Sequence, residues 1–337
     1  MLLLPSLVVG WVLFFAFTNG FHSAANVMAT VVVSGVLSRK KALLMVTACE
    51  IVAPFLLGTA VARTIGENVI DLSVFNPKTL SISAAFIAAA LGGAIIWNLL
   101  TWMFGFPSSS SHVLVGGLVG AVLAAYGPHR IILPGLLYVF LSLIVSPLLS
   151  MIFAFFAIKT VFYLSRNATP RINHLFSRMQ IPSSIILALG HGTNEVQKPV
   201  GLIAMSFVIL GVSPAFHIQS WMIASCAAAT ALGAISGGWH IIKTVGSKIF
   251  RLRPVHAFCA QASSAAILLG VSLAGGPVST THVVSSSIIG VGAGDRAAAV
   301  RWEVAKNIMI TWLTTIPAAA ALAALTFFLI RMGSRCV

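Results

Sequence analysis

Apolar runs long enough to cross a bilayer follow one another along nearly the whole chain. They lie at about residues 2–38, 42–62, 79–104, 107–127, 131–165, 183–212, 217–238, 255–275, 277–293 and 302–330. About twenty apolar residues in helical form span the hydrocarbon of a membrane, so the pattern predicts an all-α polytopic membrane protein. Several runs are not clean spans. The first and sixth are longer than one crossing needs and carry polar residues in their middles, as broken helices would. The fourth and ninth open on Pro107-Ser108-Ser109-Ser110-Ser111-His112 and Pro277-Val278-Ser279-Thr280-Thr281-His282. Read as full spans the runs give ten crossings; read as re-entrant hairpins, the fourth and ninth lower that count. The run over residues 1–17 has no preceding positive charge and no small-residue cleavage site, and reads as a retained membrane segment.

The polar interruptions occur twice. His112 and His282 close the two hydroxyl runs 170 positions apart. Gly20-Phe21-His22-Ser23 with Asn26 recurs 172 positions later as Gly192-Thr193-Asn194-Glu195 with Lys198. A duplicated half-chain with hydroxyl-rich breaks inside apolar runs is the layout of a secondary transporter whose site lies between repeats. The basic loops then orient the halves. Arg39-Lys40-Lys41, the stretch holding Arg166, Arg171 and Arg178, and the loop holding Lys243, Lys248, Arg251 and Arg253 are the strongest clusters. With all three in the cytoplasm, both termini lie outside. The uncharged counterpart of residues 39–41, at 211–213, then faces out. The charge-balanced loop at 63–78 also faces out, while its basic counterpart at 238–253 faces in. Two inverted-topology repeats follow, residues 1–165 and 183–337, joined by a basic cytoplasmic linker at 166–182. Arg331 and Arg335 at an outer C-terminus run against the rule.

Composition excludes a soluble domain: 58% of the residues are hydrophobic, 8% are charged, and the mean hydropathy is +1.02. The formal charge of +14 falls mostly in short loops. There it sets orientation and meets anionic headgroups, and calls for no nucleic acid. Cys49, Cys226, Cys259 and Cys336 lack metal or redox spacing. Trp11, Trp97, Trp102, Trp221, Trp239, Trp302 and Trp312 mostly lie near span ends and read as interface anchors. No Gly-x-x-x-x-Gly-Lys-Ser/Thr loop is present to support ATP-driven transport by this chain alone.

A proline at a helix start leaves first-turn amides free, and with adjacent hydroxyls they form a donor-rich pocket at the positive end of the helix dipole. Two such termini meeting from opposite leaflets would surround a tetrahedral oxyanion with Ser109, Ser110, Ser111, Ser279, Thr280 and Thr281. Glu195 is an intramembrane acid and a functional candidate by default. With Asn194 it could bind sodium, or it could take up a proton. Lys198, three residues on, either pairs with Glu195 or balances the bound anion. Glu50 is a weaker candidate in its own apolar run. His112 and His282 would donate to the anion, shuttle a proton, or bond across helices. Glu303 and Lys306 read as an interfacial pair. A hydrolase using Ser110 or Thr280 with His112 or His282 lacks an adjacent carboxylate to orient the histidine.

The chain resembles the inorganic phosphate transporter (PiT) family over nearly its whole length. The resemblance rests on residues 191–198 (His-Gly-Thr-Asn-Glu-Val-Gln-Lys), 238–246 (Gly-Trp-His-Ile-Ile-Lys-Thr-Val-Gly), 277–282 and 300–307 (Val-Arg-Trp-Glu-Val-Ala-Lys-Asn). It implies a cation-coupled phosphate symporter of the plasma membrane, inverted repeats and a homodimer. It also implies an anion site at the six hydroxyls and a cation site at Asn194 and Glu195. The first half departs from the family pattern Gly-x-Asn-Asp-x-Ala-Asn: residues 20–26 read Gly-Phe-His-Ser-Ala-Ala-Asn, so His22 and Ser23 replace an asparagine and an aspartate. Loss of that carboxylate weakens a sodium site and makes His22 a candidate proton carrier. It also leaves open a sulfate-transporting branch, and a relative that binds an anion without moving it.

Overall fold

The computed structural model describes residues 3–75, 80–106, 108–237 and 249–333. Lys78, Pro107, Arg335, Cys336, the 238–246 motif with Trp239 and Lys243, and Lys248 lie outside them. The first half contains α1 (Leu3–Val33), α2 (Arg39–Leu56), α3 (Ala60–Glu67), α4 (Leu80–Met103), α5 (Ser110–Tyr126) and α6 (Leu133–Leu164). The second contains α7 (Ile172–Ile209), α8 (Ser220–Ser236), α9 (Pro254–Leu273), α10 (Thr280–Arg296) and α11 (Trp302–Gly333). Of the 166–182 stretch, residues 172–182 are the opening turns of α7 rather than linker.

Helices α1, α4, α6, α9 and α11 are long and apolar enough to cross a membrane, and α2 with α3, bent by 76°, would make a sixth span. Helices α1 and α7 are not broken at their polar motifs; each runs through without interruption. Of the two readings of the fourth and ninth runs, the re-entrant hairpin is the one their lengths fit. Helices α5 and α10 have 17 residues each, about 25 Å at 1.5 Å per residue, against ~30 Å of hydrocarbon. Each begins at the tip of a hairpin, α4–α5 or α9–α10. The hairpins turn on the same device: Gly105 (φ 68°) and Gly275 (φ 81°) take the left-handed conformation that ends a helix. Phe106 N donates to Thr101 O at 2.9 Å, and Gly276 N to Val271 O at 2.9 Å.

Buried hydrophobic side chains form two separate cores, and their membership reveals the inversion. Helix α1 passes from the first core (Val12, Phe15) to the second (Val27, Val31), whereas α7 passes from the second (Phe176, Leu187) to the first (Val200, Ile203). Helix α6 runs from first (Val139, Leu143) to second (Ala154, Ile158), and α11 from second (Ala305, Ile308) to first (Ala319, Phe327). Equivalent helices are therefore antiparallel. The repeats also interlock: α6 packs on α10, α11 on α5, α1 on α8 and α2 on α7. Large apolar side chains such as Leu141, Phe156 and Leu313 face outward, as a lipid solvent allows.

Glycines set the closest approaches. A Cβ on Gly120 would lie 2.1 Å from the Ala320 carbonyl oxygen, and one on Gly290 would lie 2.2 Å from that of Met151, at equivalent crossings of the two repeats. Nothing surrounds a Cβ on Gly10. Gly290→Ala is expected to destabilise by about 1–3 kcal/mol through overpacking. Gly10→Ala is expected to be neutral or to stabilise by up to about 1 kcal/mol. Thermal unfolding in detergent, followed by size exclusion, checks the pair.

Candidate functional site

The two hairpin tips abut at the middle of the bundle, where α1 and α7 pass between the cores. Ser109 and Ser279 are N-caps: their hydroxyls accept from His112 N and His282 N, each at 3.3 Å. Two of the six hydroxyls assigned to the anion thus order the tips. The tips also hold each other. Ser111 Oγ donates to Val278 O at 2.7 Å, and Thr281 Oγ1 to Ser108 O at 3.1 Å, equivalent bonds in the two repeats.

Helices α1 and α7 brace the tips in a matching way. Ser108 N donates to His22 Nε2 at 3.2 Å. At the equivalent place in the second repeat, the Asn194 amide meets the Val278 backbone. With its oxygen accepting from Val278 N (3.2 Å) and Ser272 Oγ (2.9 Å), and its nitrogen donating to Val278 O (2.9 Å), every atom has a proper partner. His22 therefore does in one repeat what Asn194 does in the other. Asn26 Nδ2 donates to Thr281 Oγ1 at 2.8 Å; its counterpart Lys198 donates to Ser110 Oγ at 3.0 Å and Ser111 Oγ at 2.9 Å.

The repeats differ in charge at their centre. Lys198 Nζ meets Glu195 Oε1 at 2.5 Å, and both side chains are at most 1% exposed. Glu195 Oε1 also accepts from Thr280 Oγ1 at 3.2 Å, while Oε2 accepts from Asn19 Nδ2 at 2.6 Å and Ser110 Oγ at 2.9 Å. Ser23, the counterpart of Glu195, donates to its own helix at Asn19 O, 2.8 Å away. The Glu195–Lys198 pair thus draws on both tips. Buried charges persist only when paired and hydrogen-bonded, and this pair has both.

Three participants were not assigned from the sequence. Asn19 and His191 occupy equivalent positions 172 residues apart, one turn before Ser23 and Glu195, and each reaches a carboxylate. His191 Nε2 lies 3.1 Å from Glu50 Oε1, and its Nδ1 lies 3.1 Å from Thr280 Oγ1. Ser108 joins the His22 brace. His112 and His282 instead lie against each other with ring centroids 4.3 Å apart and planes tilted by 44°, and His282 stacks on Trp312 at 3.9 Å. Trp312 is thus no interface anchor. Glu303 and Lys306 are exposed, away from the centre.

This donor set fits an anion. A lysine, two hydroxyls and an asparagine amide converge at the first turns of α5 and α10, and Glu195 occupies them as a tethered anion would. It does not fit a sodium ion at Asn194 and Glu195. The Asn194 oxygen is spent on the tip, and every hydrogen-bonding group around Glu195 is a donor. The brace gives a test of His22. His22→Asn is expected to keep uptake within about threefold, a loss under ~1 kcal/mol. His22→Leu leaves the Ser108 N–H without an acceptor, at about 1–3 kcal/mol, and is expected to lose uptake. An essential proton carrier at His22 would fail in both variants.

The sequence profile of the phosphate transporter family matches residues 19–171 and again 163–323. The chain belongs to that family. A "Probable low-affinity inorganic phosphate transporter" of Rhizobium meliloti (strain 1021) is 42% identical over 318 residues, 94% of this chain and 93% of that one. One of the same description from Bacillus subtilis (strain 168) is 39% identical over 98% of both chains. A solved structure, "The sodium-dependent phosphate transporter", superposes with a TM-score of 0.86 over 98% of this chain and 99% of that one, at 24% identity, which bears on the fold alone. Membership of the phosphate transporter family makes the chain an integral, multi-pass membrane transporter, in bacteria a plasma-membrane protein. The hydrolase reading is set aside with it.

Proposed function

We propose that this chain carries inorganic phosphate across the membrane by coupled, alternating access, with the Glu195–Lys198 pair as the switch. One observation carries the reading. Glu195 draws a cation and two hydroxyls contributed by both hairpin tips onto a carboxylate, in a place built for an oxyanion. Phosphate entering there takes Lys198, Ser110 and Thr280, and Glu195 gives them up. A proton on Glu195 is what lets it do so, because a neutral carboxyl no longer holds the lysine. That favours the proton over sodium as coupling ion. Phosphate is favoured over sulfate for a related reason: it carries an O–H at neutral pH and can donate to Glu195, which sulfate cannot. Motion of one repeat against the other then exposes the centre to each side in turn. Assembly as a homodimer in the bilayer belongs to the same reading.

The test is radiolabelled phosphate uptake into vesicles holding the purified protein, under a proton or a sodium gradient, with sulfate as competitor. The expected result is proton-driven uptake that sulfate leaves unchanged. Sulfate entry in place of phosphate would move the chain to the sulfate branch. Binding without entry of either anion would leave an anion-binding membrane protein.

A further inference from the structure

We infer that Glu50 and His191 form the proton store that charges and discharges Glu195 through the Thr280 hydroxyl, an inference that rests on the proton-coupled phosphate reading. The four groups make one continuous chain across three helices. Glu195 Oε1 to Thr280 Oγ1 is 3.2 Å, Thr280 Oγ1 to His191 Nδ1 is 3.1 Å, and His191 Nε2 to Glu50 Oε1 is 3.1 Å. Glu50 and His191 are both 0% exposed. Glu50 comes from α2, and the chain links it to Glu195 on α7 and Thr280 on α10.

Counting hydrogens along this chain fixes what it can do. A threonine hydroxyl has one hydrogen, and Thr280 gives it to Glu195. Its lone pair then faces His191 Nδ1, which must carry a hydrogen. The remaining contact, His191 Nε2 to Glu50 Oε1, needs one hydrogen between them, on the carboxyl or on the ring. The Glu50–His191 pair therefore holds one proton more than a bare carboxylate beside a neutral imidazole.

A second arrangement satisfies the same heavy atoms. The Thr280 proton crosses to Glu195 Oε1, the Nδ1 proton crosses to Thr280 Oγ1, and the proton between Glu50 and the ring settles on Nε2. Glu195 is then a neutral acid donating to Thr280, Thr280 donates to Nδ1, and Nε2–H donates to a Glu50 carboxylate. Three protons each cross one hydrogen bond, the heavy-atom framework is unchanged, and the net result is one proton carried from Glu50 to Glu195. Lys198 is left without its carboxylate partner, ready for an anion. Glu50 regains its proton from the aqueous phase before the next cycle.

The surroundings leave few other groups to take part. Helix α1 contributes His22, committed to Ser108. Helix α2 adds Cys49 beside Glu50. Helix α7 adds Lys198, and α10 has His282, stacked on Trp312. Helix α8, packed on α2, carries the buried Cys226 thiol and no carboxylate, lysine, arginine or histidine. Glu50 Oε2 and Thr47 Oγ1, one turn earlier on α2, have no hydrogen-bond partner among the described residues. They mark where the proton store faces away from the centre.

The experiment compares wild type, Glu50→Gln and His191→Gln in vesicles by two readouts. One is phosphate accumulation under a proton gradient, with internal acidification followed by a pH dye. The other is phosphate–phosphate exchange at equal pH, which needs the site but no net proton movement. Both variants are expected to lose accumulation and phosphate-linked acidification by about tenfold or more, while exchange stays within about threefold of wild type. Using two variants guards against one that fails to fold, since retained exchange reports a folded site. Accumulation within about threefold of wild type in either variant would overturn the proposal, as would equal loss of both readouts in properly folded protein. Wild-type protein that exchanges phosphate but accumulates it only on sodium would overturn the relay and leave phosphate transport standing. Wild-type protein that does neither would overturn both.

Discussion

Glu195→Gln is expected to bind phosphate about tenfold more tightly than wild type, near 1.4 kcal/mol, while losing proton-driven accumulation. In the native centre phosphate must displace a carboxylate that already holds Lys198 and hydroxyls from both tips. Glutamine has almost the same shape but no charge to surrender, so Lys198 is free for the anion from the start. The same change removes the one carboxylate among the described residues of the anion cradle that a proton could neutralise. Binding and coupling should therefore separate in one variant. Equilibrium binding in detergent and uptake in vesicles measure the two effects. Weaker binding in Glu195→Gln would mean that the carboxylate helps to hold phosphate rather than competing with it.

Lys198→Met is expected to abolish phosphate binding and to destabilise the protein by about 3–5 kcal/mol, the usual consequence of leaving one member of a buried pair alone. Lys198 is 0% exposed, so water cannot replace the missing charge for Glu195. Lys198→Met combined with Glu195→Gln removes both charges and is expected to recover most of the stability, but no transport. Thermal unfolding and uptake of the single and double variants check this. A Lys198→Met protein as stable as wild type would show that Glu195 is already neutral in the resting state.

Much of this was legible in the chain because it repeats. The paired hydroxyl runs and the spacing from Gly20 to Gly192 pointed to the two hairpins and the repeat, and the basic loops to its inversion; the hydroxyls of Ser111 and Thr281 meet the opposite tip where the two abut. Glu195 and Lys198 stood out because charges inside apolar runs are costly. The capping roles of Ser109 and Ser279 were less visible, since a hydroxyl at a helix start serves a cap or an anion equally well. Pairing of Glu50 with His191 spans 141 residues and depends on α2 packing on α7, which no spacing encodes. Substitution of His22 for an asparagine looked like new proton chemistry. In the folded protein its Nε2 accepts from the tip amide of Ser108, as the Asn194 oxygen accepts from that of Val278 in the other repeat. Expected breaks in α1 and α7 did not occur: both motifs are buried against the tips, where Asn26, Asn194, Glu195 and Lys198 find partners across helices without opening their own.

The most direct test of the Glu195–Lys198 switch is an experimental structure of the protein with phosphate bound. A phosphate oxygen is expected within about 2.7–3.2 Å of Lys198 Nζ and of the Ser110 and Thr280 hydroxyls, with Glu195 drawn away from the lysine. Phosphate bound elsewhere, with the lysine still 2.5 Å from Glu195, would contradict the account.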